Sequence, residues 1–304
     1  LVVPRHAGSS KTTAVMNRPL PPAATPWLLA GPALLLFLGV VLVPLVMTGL
    51  LSFHDFSTSK GIQPVFLLKN WEEVITDSYF HEMFARTLRV ALWVTLACLV
   101  LGAPEAYVLS RMSPKWRGVF LLIILGPLLI SVVARTLGWA LLFGGQTGLI
   151  NKALMGAGLI QSPIPFMFTE TGVVIALTHV LVPFMVLSVW TALQRVDPAT
   201  ENAAQSLGAS AFTTLRRIVL PQTLPGMLSG AIIVFALAAS AFATPAIIGG
   251  RRLKVASTLA YDEFLNTLNW PLGAAVAVLL LVGLTATIVG SNRWVERRWS
   301  QVFQ

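Results

Sequence analysis

Charge is scarce in this chain. Asp, Glu, Lys and Arg together make up 11% of its 304 residues, whereas hydrophobic residues make up 56%. An ordinary soluble domain carries roughly 25% charged residues, and the mean hydropathy of this chain is +0.78. The shortage of charge excludes an ordinary soluble domain and indicates a membrane protein.

Redox-active and metal-binding side chains are also few. The single cysteine, Cys98, lies inside an apolar run, so this chain builds neither an internal disulfide nor a cysteine-based metal site. The four histidines are scattered, at His6, His54, His81 and His179. The sequence has no nucleophile motif, and residues 8–13 lack the glycine that precedes lysine in a phosphate-binding loop. We therefore predict no enzyme activity, no metal and no cofactor bound by this chain.

Positive charge is in excess, with 21 Lys and Arg against 12 Asp and Glu and a formal net charge of +9. These basic residues fall mainly in short clusters beside apolar runs, where they orient a membrane protein and contact anionic lipid. We therefore expect membrane lipid, and not nucleic acid, to be the partner of this charge.

Six charge-poor runs are long enough to cross a bilayer. A spanning helix needs about 20 apolar residues, which cover ~30 Å at a rise of ~1.5 Å per residue. Only Glu105 and Arg135 interrupt the six runs. The predicted spans are residues 27–53, 90–110, 119–143, 172–193, 220–248 and 272–290. The sequence thus predicts an all-α membrane protein with six transmembrane helices.

The segments around the transmembrane domain, 27–290, are predicted as tails at 1–26 and 291–304. Residues 153–169 contain two glycines and two prolines, too many helix breakers for a lipid-exposed span. We predict a short surface helix and loop there, or a re-entrant piece.

Six spans put both termini on one side, and a cytoplasmic N-terminus leaves more Lys and Arg inside than outside. Both tails are therefore predicted to be cytoplasmic.

The loop between the fourth and fifth spans, residues 194–219, is polar and helix-prone. Asp197 caps free amide groups and Pro198 suits the first helical position, so together they start a helix. Gly208 ends it, because glycine readily adopts the left-handed conformation that closes a last turn. Ser210 is the predicted cap of a second short helix that runs to residue 219.

Two interpretations of this loop follow from the residues alone. A short amphipathic helix with small residues on one face fits a groove on a soluble partner. Alternatively, the helix lies on the lipid headgroups with Arg216 and Arg217 as anchors.

The same loop resembles a known family. Its Ala-Ala pair, Gly208 and the segment Ile218-Val219-Leu220-Pro221 have the spacing of the EAA loop in inner-membrane permease subunits of binding-protein-dependent ABC importers. Residues 127–154, 242–250 and 269–281 resemble the third span and the ends of spans five and six in the spermidine/putrescine subgroup. The resemblance implies the MetI-like architecture of a type I importer permease.

One position departs from the EAA pattern. Counting back from Gly208 puts Asn202, and not Glu201, at the glutamate that helps bind the ATPase in the family. Either Asn202 takes this role as an uncharged hydrogen-bonding group, or Glu201 does so one residue early. The residues that the resemblance implies for ATPase coupling are Glu201, Asn202, Ala203, Ala204, Leu207, Gly208, Ile218, Leu220 and Pro221.

The resemblance also implies partners and a mechanism. Two ATPase subunits, which use ATP and Mg²⁺, dock on the EAA loops, and a second, homologous but distinct permease subunit completes the pathway. A periplasmic or extracellular solute-binding protein delivers the solute, and the spans work by alternating access in a bacterial-type inner membrane. The implied solute pathway contains Arg135, Trp139, Ser240, Phe242, Thr244 and Pro245.

Two charged residues and one histidine lie inside the predicted spans. Arg135 is costly at membrane depth, so it either faces the bundle interior or a water path, or extends to the outer headgroups. Glu105 either pairs with Arg111 or extends to the interface. His179, four residues before Pro183, is predicted to hydrogen-bond a carbonyl freed by the proline kink rather than to carry a proton.

The charge of the solute is open. The subgroup resemblance favours a polyamine, but Ala241 stands where many relatives carry an acid, and Arg135 is positive. The solute is therefore either a polyamine selected by the binding protein alone or a zwitterionic or acidic, amino-acid-like compound. The alternative function is a stand-alone secondary transporter or channel, which predicts paired broken spans and mid-depth carboxylates that the sequence lacks.

Overall fold

The structure, a computed structural model, describes residues 25–145 and 148–299. The chain divides into two compact units, one ending at Met47 and the other beginning at Thr48. The predicted N-terminal tail lies outside the described residues except for positions 25 and 26, and so do residues 8–13 and 300–304.

Helix α1, Thr25–Leu51, is apolar along its length and contains Pro32 and Pro44. Its stretch from Ala30 to Leu51 is long enough to cross a membrane.

The elements that follow α1 begin with a two-stranded antiparallel hairpin, β1 (His54–Ser57) and β2 (Gly61–Phe66). The helices are then α2 (Lys69–Thr76), α3 (Ser78–Arg111), α4 (Pro114–Leu129), α5 (Val132–Phe143), α6 (Leu149–Gly156), α7 (Glu170–Leu193), α8 (Pro198–Ser206), α9 (Ala211–Thr214), α10 (Leu220–Ser240), α11 (Ala256–Leu265) and α12 (Trp270–Trp299). Two π-helical segments, Leu215–Val219 and Pro245–Gly249, flank α10.

Helices α3, α7 and α10 pack against one another and form the main core. Fully buried small and apolar side chains fill their contact, among them Val94 of α3, Met185 of α7 and Val234 of α10. A second cluster joins α2, the start of α3, α11 and α12. The close packing of these apolar faces against one another holds α7 and α10 in place on either side of the loop that connects them.

Charged groups hold one end of α3 to its neighbours. Arg89 donates from Nε to Glu170 at the start of α7, over 2.9 Å. Arg86 donates to the main-chain carbonyl of Lys254 (3.2 Å), so both arginines are used in contacts between elements. Lys254 in turn lies 2.7 Å from a carboxylate oxygen of Asp262, and this hydrogen bond raises the pKa of Lys254.

Five described helical stretches are each long and apolar enough to cross a membrane, and α4 with α5 makes a sixth span if the two are counted as one broken span. The predicted third span, 119–143, is therefore not one straight helix. Helices α4 and α5 meet at 95°, with the break at Ile130 and Ser131.

Three other predicted boundaries differ from the structure. Helix α3 extends 12 residues before position 90, because its charged first turns are paired with neighbouring elements. The predicted fifth span, 220–248, ends as an α-helix at Ser240. Residues 291–299 of the predicted C-terminal tail continue helix α12.

Candidate functional site

The loop after α7 forms the short helix that its capping residues predict. Asp197 accepts a hydrogen bond from the amide of Ala199 (2.8 Å), and Pro198 occupies the first turn of α8. The helix ends before Gly208, whose φ of +86° is in the left-handed region. The amide of Ala209 bonds back to the carbonyl of Ala204 (3.0 Å), which closes the last turn. The predicted start and stop of this helix are confirmed.

The second predicted short helix is not separate from the fifth span. Ser210 caps α9 as predicted, accepting from the amide of Thr213 at 3.3 Å. However, α9 passes through the π-helical segment Leu215–Val219 directly into α10, so Ala211–Ser240 is one helical stretch. Pro221 therefore lies inside this stretch, where it has no amide to donate to the preceding turn, and it follows directly on the π-helical segment.

The two candidates for the family's glutamate face different surroundings. Arg111 at the end of α3 donates to Glu201 over 2.5 Å, and the Glu201 side chain is only 12% exposed. Asn202 and Ala203 are exposed, and Leu207 is 89% exposed. The helix thus turns Glu201 toward α3 and leaves an uncharged face open.

The remaining predicted coupling residues are close to this face in sequence but differ in burial. Ala204 and Ile218 are half-buried, whereas Leu220 and Pro221 are exposed at the start of α10. Sequence reasoning missed Phe212, which is 70% exposed on α9 and adds a large apolar side chain to the same loop.

Arg135 lies in the first turn of α5, just beyond the break in the third span. Its side chain donates from Nη1 to the carbonyl of Pro127 in the last turn of α4. The residue is only 8% exposed, and its Nε has no hydrogen-bond partner among the described residues. Arg135 therefore faces the protein interior, as the first of the two sequence interpretations requires.

A cavity of about 450 Å³ is lined by Arg135, Trp139 and His179, with apolar residues of α5 and the start of α6. The indole Nε1 of Trp139 donates to Nδ1 of His179 at 3.2 Å. The interpretation that His179 bonds a carbonyl freed at Pro183 is wrong, because its Nδ1 instead accepts from a tryptophan. Nothing in a single-sequence pattern pairs Trp139 on α5 with His179 on α7.

The other predicted pathway residues surround the break that ends α10. The hydroxyls of Thr244 and Thr136 are 3.2 Å apart, which ties this segment to α5. Thr244 and Pro245 are buried, whereas Ser240 and Phe242 are exposed. Phe242 packs on Tyr261 of α11, with ring centroids 4.6 Å apart. The structure thus brings Thr244 next to α5 but does not place Ser240 and Phe242 among the residues that line the Arg135 cavity.

Glu105 does not form the ion pair considered for it. Its side chain is exposed, and Arg111 pairs with Glu201. Across the described part of the chain, no group of three or more His, Cys, Asp or Glu residues is arranged to hold a metal ion.

Comparison with known proteins gives consistent matches. A family model described as "Binding-protein-dependent transport system inner membrane component" matches residues 22–301. The spermidine/putrescine transport system permease protein PotB of Escherichia coli (strain K12) is 33% identical over 231 residues, covering 76% of this chain and 83% of that protein. The molybdenum transport system permease protein ModB of Mycobacterium bovis is 33% identical over 217 residues, covering 71% of this chain and 80% of that protein.

The fold also matches a solved structure. A bacterial alginate ABC transporter, crystallised in complex with an alginate pentasaccharide-bound periplasmic protein, aligns with a TM-score of 0.75 at 18% identity, covering 90% of this chain and 95% of that chain. The alginate transporter shows the fold, and the family model and the PotB relative show the class of protein, a multi-pass permease subunit of an ABC importer, a membrane component and not an enzyme. The chain belongs to the family of binding-protein-dependent transport system inner membrane components. The predicted all-α, MetI-like fold class and the permease assignment are confirmed.

Proposed function

We propose that this chain forms part of the solute pathway of an ATP-driven importer, which works by alternating access and carries a small polyamine-type or amino-acid-like solute. The membrane helices and the family support the pathway role. PotB supports a polyamine, whereas ModB, equally identical to this chain, is a molybdenum permease, so membership of the family does not fix the charge of the solute.

The observation that carries this proposal is the loop helix α8 and its short connection, residues 207–210, to the helical stretch that contains α10. Asn202, Ala203 and Leu207 give α8 an exposed, uncharged face, and small residues permit close approach of a partner groove. The unbroken helical stretch Ala211–Ser240 leads from this loop into the bundle. Helix α8 contacts α9 and the π-helical segment of this stretch, so an ATPase subunit that binds the α8 face and moves it acts on α10 through them.

The remaining partners are proposed on the same basis. Two ATPase subunits, with bound ATP and Mg²⁺, dock on the loops of two permease subunits, this chain and a homologous but distinct one. A solute-binding protein docks on the other side; the alginate transporter, which shares this fold, was crystallised in complex with a periplasmic protein. The membrane is a bacterial inner membrane, with both termini in the cytoplasm. A stand-alone transporter is not favoured, because the chain belongs to a family of importer subunits.

Gly208→Arg tests the coupling role in the complete transporter. An ordinary residue at a φ of +86° is strained by about 1–2 kcal/mol, and the arginine side chain adds bulk beside the docking face. We expect nucleotide-dependent uptake into vesicles to fall at least tenfold, the effect of losing about 1.4 kcal/mol of docking energy. The ATPase should no longer co-purify, while the amount of permease in the membrane stays unchanged.

Gly158→Arg is the matched control. Gly158 also has a positive φ, +69°, and open space around its Cα, but it lies in the loop after α6. Gly158→Arg should keep uptake within about twofold of the wild-type rate, which corresponds to a change in docking free energy of less than about 0.5 kcal/mol. Normal ATPase co-purification and uptake by Gly208→Arg would contradict the coupling role, and accumulation of solute by this chain alone without nucleotide would overturn the proposal as a whole.

A further inference from the structure

The break between α4 and α5 places Arg135 in the first turn of α5. The cavity begins at this residue and extends along the helix to Leu142, so the residues of the α5 N-terminus are not among those that line it. The charge that α5 offers to a solute in this cavity is therefore that of the Arg135 side chain.

Arg135 adds a full positive charge to this end of α5. Only 8% of the residue is exposed, and a charge at this depth normally marks a solute path or a paired site. Nη1 is taken by the carbonyl of Pro127, and Nε is buried without a hydrogen-bond partner among the described residues. Arg135 nevertheless lines the cavity, so its guanidinium group presents a positive charge to a solute there.

His179 supplies another donor. The tryptophan nitrogen only donates, so the bond from Trp139 requires His179 Nδ1 to be the acceptor. The neutral imidazole then carries its proton on Nε2, and the exposed side of His179 lines the same cavity as Arg135. Trp139 thus fixes the ring so that a hydrogen-bond donor, and not an acceptor, remains available to a ligand.

No acidic residue lines this cavity among the described residues. Two other arginines also have an Nε without a partner, but their surroundings differ. Arg86 is next to Glu82 and Glu170, which neutralise it. Arg117 is only half-buried and bonds the last carbonyls of α3. Arg135 alone of the three combines deep burial with a cavity and no neighbouring carboxylate.

We infer that the cavity lined by Arg135, Trp139 and His179 binds the anionic group of the solute, a carboxylate on a small zwitterionic or acidic molecule. This inference rests on the proposed function and narrows its solute class. A diamine presents only ammonium groups, which the guanidinium repels and the imidazole N–H does not bind. Among the two solute classes that the sequence left open, the site selects the amino-acid-like one.

A matched pair of probes tests this inference on the permease complex in lipid nanodiscs, purified without the solute-binding protein. Putrescine and 4-aminobutyrate share one amine and the four-carbon chain, but one carries a second ammonium group and the other a carboxylate. Binding is measured by calorimetric titration at constant ionic strength. We expect 4-aminobutyrate to bind, acetate to compete with it and putrescine not to bind.

Arg135→Gln should weaken 4-aminobutyrate binding by at least about tenfold, the effect of losing a charged hydrogen-bonding partner. Because this variant also loses the bond to Pro127, His179→Ala provides a second test that keeps Arg135 in place, and it should weaken binding by about three- to tenfold. Arg117→Gln is the matched control and should bind as the unchanged chain does.

Three results would overturn the inference: binding of putrescine in preference to 4-aminobutyrate, binding of none of the three probes at millimolar concentration, or unchanged binding in both Arg135→Gln and His179→Ala. None of these would affect the proposed function, which is tested separately by nucleotide-dependent uptake into vesicles by the complete transporter.

Discussion

The Arg111–Glu201 pair joins the end of α3 to the loop helix α8. Arg111 also lies over the ring of Tyr107, with its guanidinium carbon 5.1 Å from the ring centroid. Such contacts fix the direction of the arginine side chain, which is itself 46% exposed. The pair is therefore a link between the loop and the bundle that does not pass through α10.

Arg111→Gln and Glu201→Gln test this link. A half-exposed ion pair contributes up to about 1 kcal/mol, so each variant should lower nucleotide-dependent uptake by about two- to fivefold. The double variant should lose no more than either single one, because both remove the same interaction. Arg216→Gln, an exposed arginine on the same loop, is the control and should leave uptake unchanged.

Single residues could be predicted where their role is local. Asp197, Pro198, Gly208 and Ser210 act within a few residues of their own positions, and their capping roles follow from the sequence. The partner of Glu201 is 90 residues away, and Trp139 meets His179 across two helices. No periodicity or spacing encodes these contacts, because they depend on how the helices pack.

At the scale of elements, α7 and α10 approach closely through two glycines four residues apart. A Cβ added at Gly226 would lie 2.4 Å from that of Ala192, and one at Gly230 would lie 2.9 Å from the sulfur of Met185. Small residues at this spacing let helix backbones come together in a membrane, where packing rather than the hydrophobic effect drives association. These two glycines therefore set the distance between α7 and α10.

Gly226→Val should separate these helices. The added atoms would overlap Ala192 and the carbonyl of Ser188, and overpacking of this kind costs about 1–3 kcal/mol. We expect thermal unfolding of the detergent-solubilised chain at a lower temperature than for the unchanged chain. Gly283→Val, in α12 with open space around the glycine, should unfold near the original temperature. Equal unfolding temperatures for the two variants would contradict the packing role.

The spans themselves were predictable because hydropathy is a local property that survives folding. The break in the third span was not, because Ile130 and Ser131 are neither glycine nor proline and lie in an apolar run. The sequence also did not predict the part of α3 before position 90. Arg86 and Arg89 interrupt the apolar run in the sequence, but their charges are paired with Glu170 in the structure. Charge-based boundaries thus fail where a distant residue neutralises the charge.

At the scale of the whole molecule, the orientation of the helix bundle in the membrane is a prediction from the distribution of Lys and Arg. The exposed residues Ser59, between the strands of the hairpin, and Ser206, at the end of α8, are predicted to lie on opposite sides of the membrane. Cys98 is buried and is the one cysteine of the chain, so replacing it leaves an introduced thiol as the only one available for labelling.

Ser59→Cys and Ser206→Cys, each in a Cys98→Ala background, test the orientation. A membrane-impermeant maleimide added to spheroplasts with an intact inner membrane should label the thiol at position 59 and not that at position 206. Permeabilised cells should show labelling at both positions, which controls for accessibility. The opposite pattern would reverse the predicted orientation and place α8 away from any cytoplasmic ATPase.

The sharp turn between α4 and α5 has a consequence for what surrounds this polypeptide. The 16 residues of α4 reach about 24 Å, less than the ~30 Å of a hydrocarbon core, so the irregular backbone at Ile130 and Ser131 falls short of the far headgroups. Leu129 is 82% exposed and Ile130 is 54% exposed, so the turn is not covered within the unit that begins at Thr48. Lipid hydrocarbon chains cannot hydrogen-bond an exposed peptide group, which makes such a group costly there. This unit therefore needs a further polypeptide segment, or water, to shield its main chain at the turn.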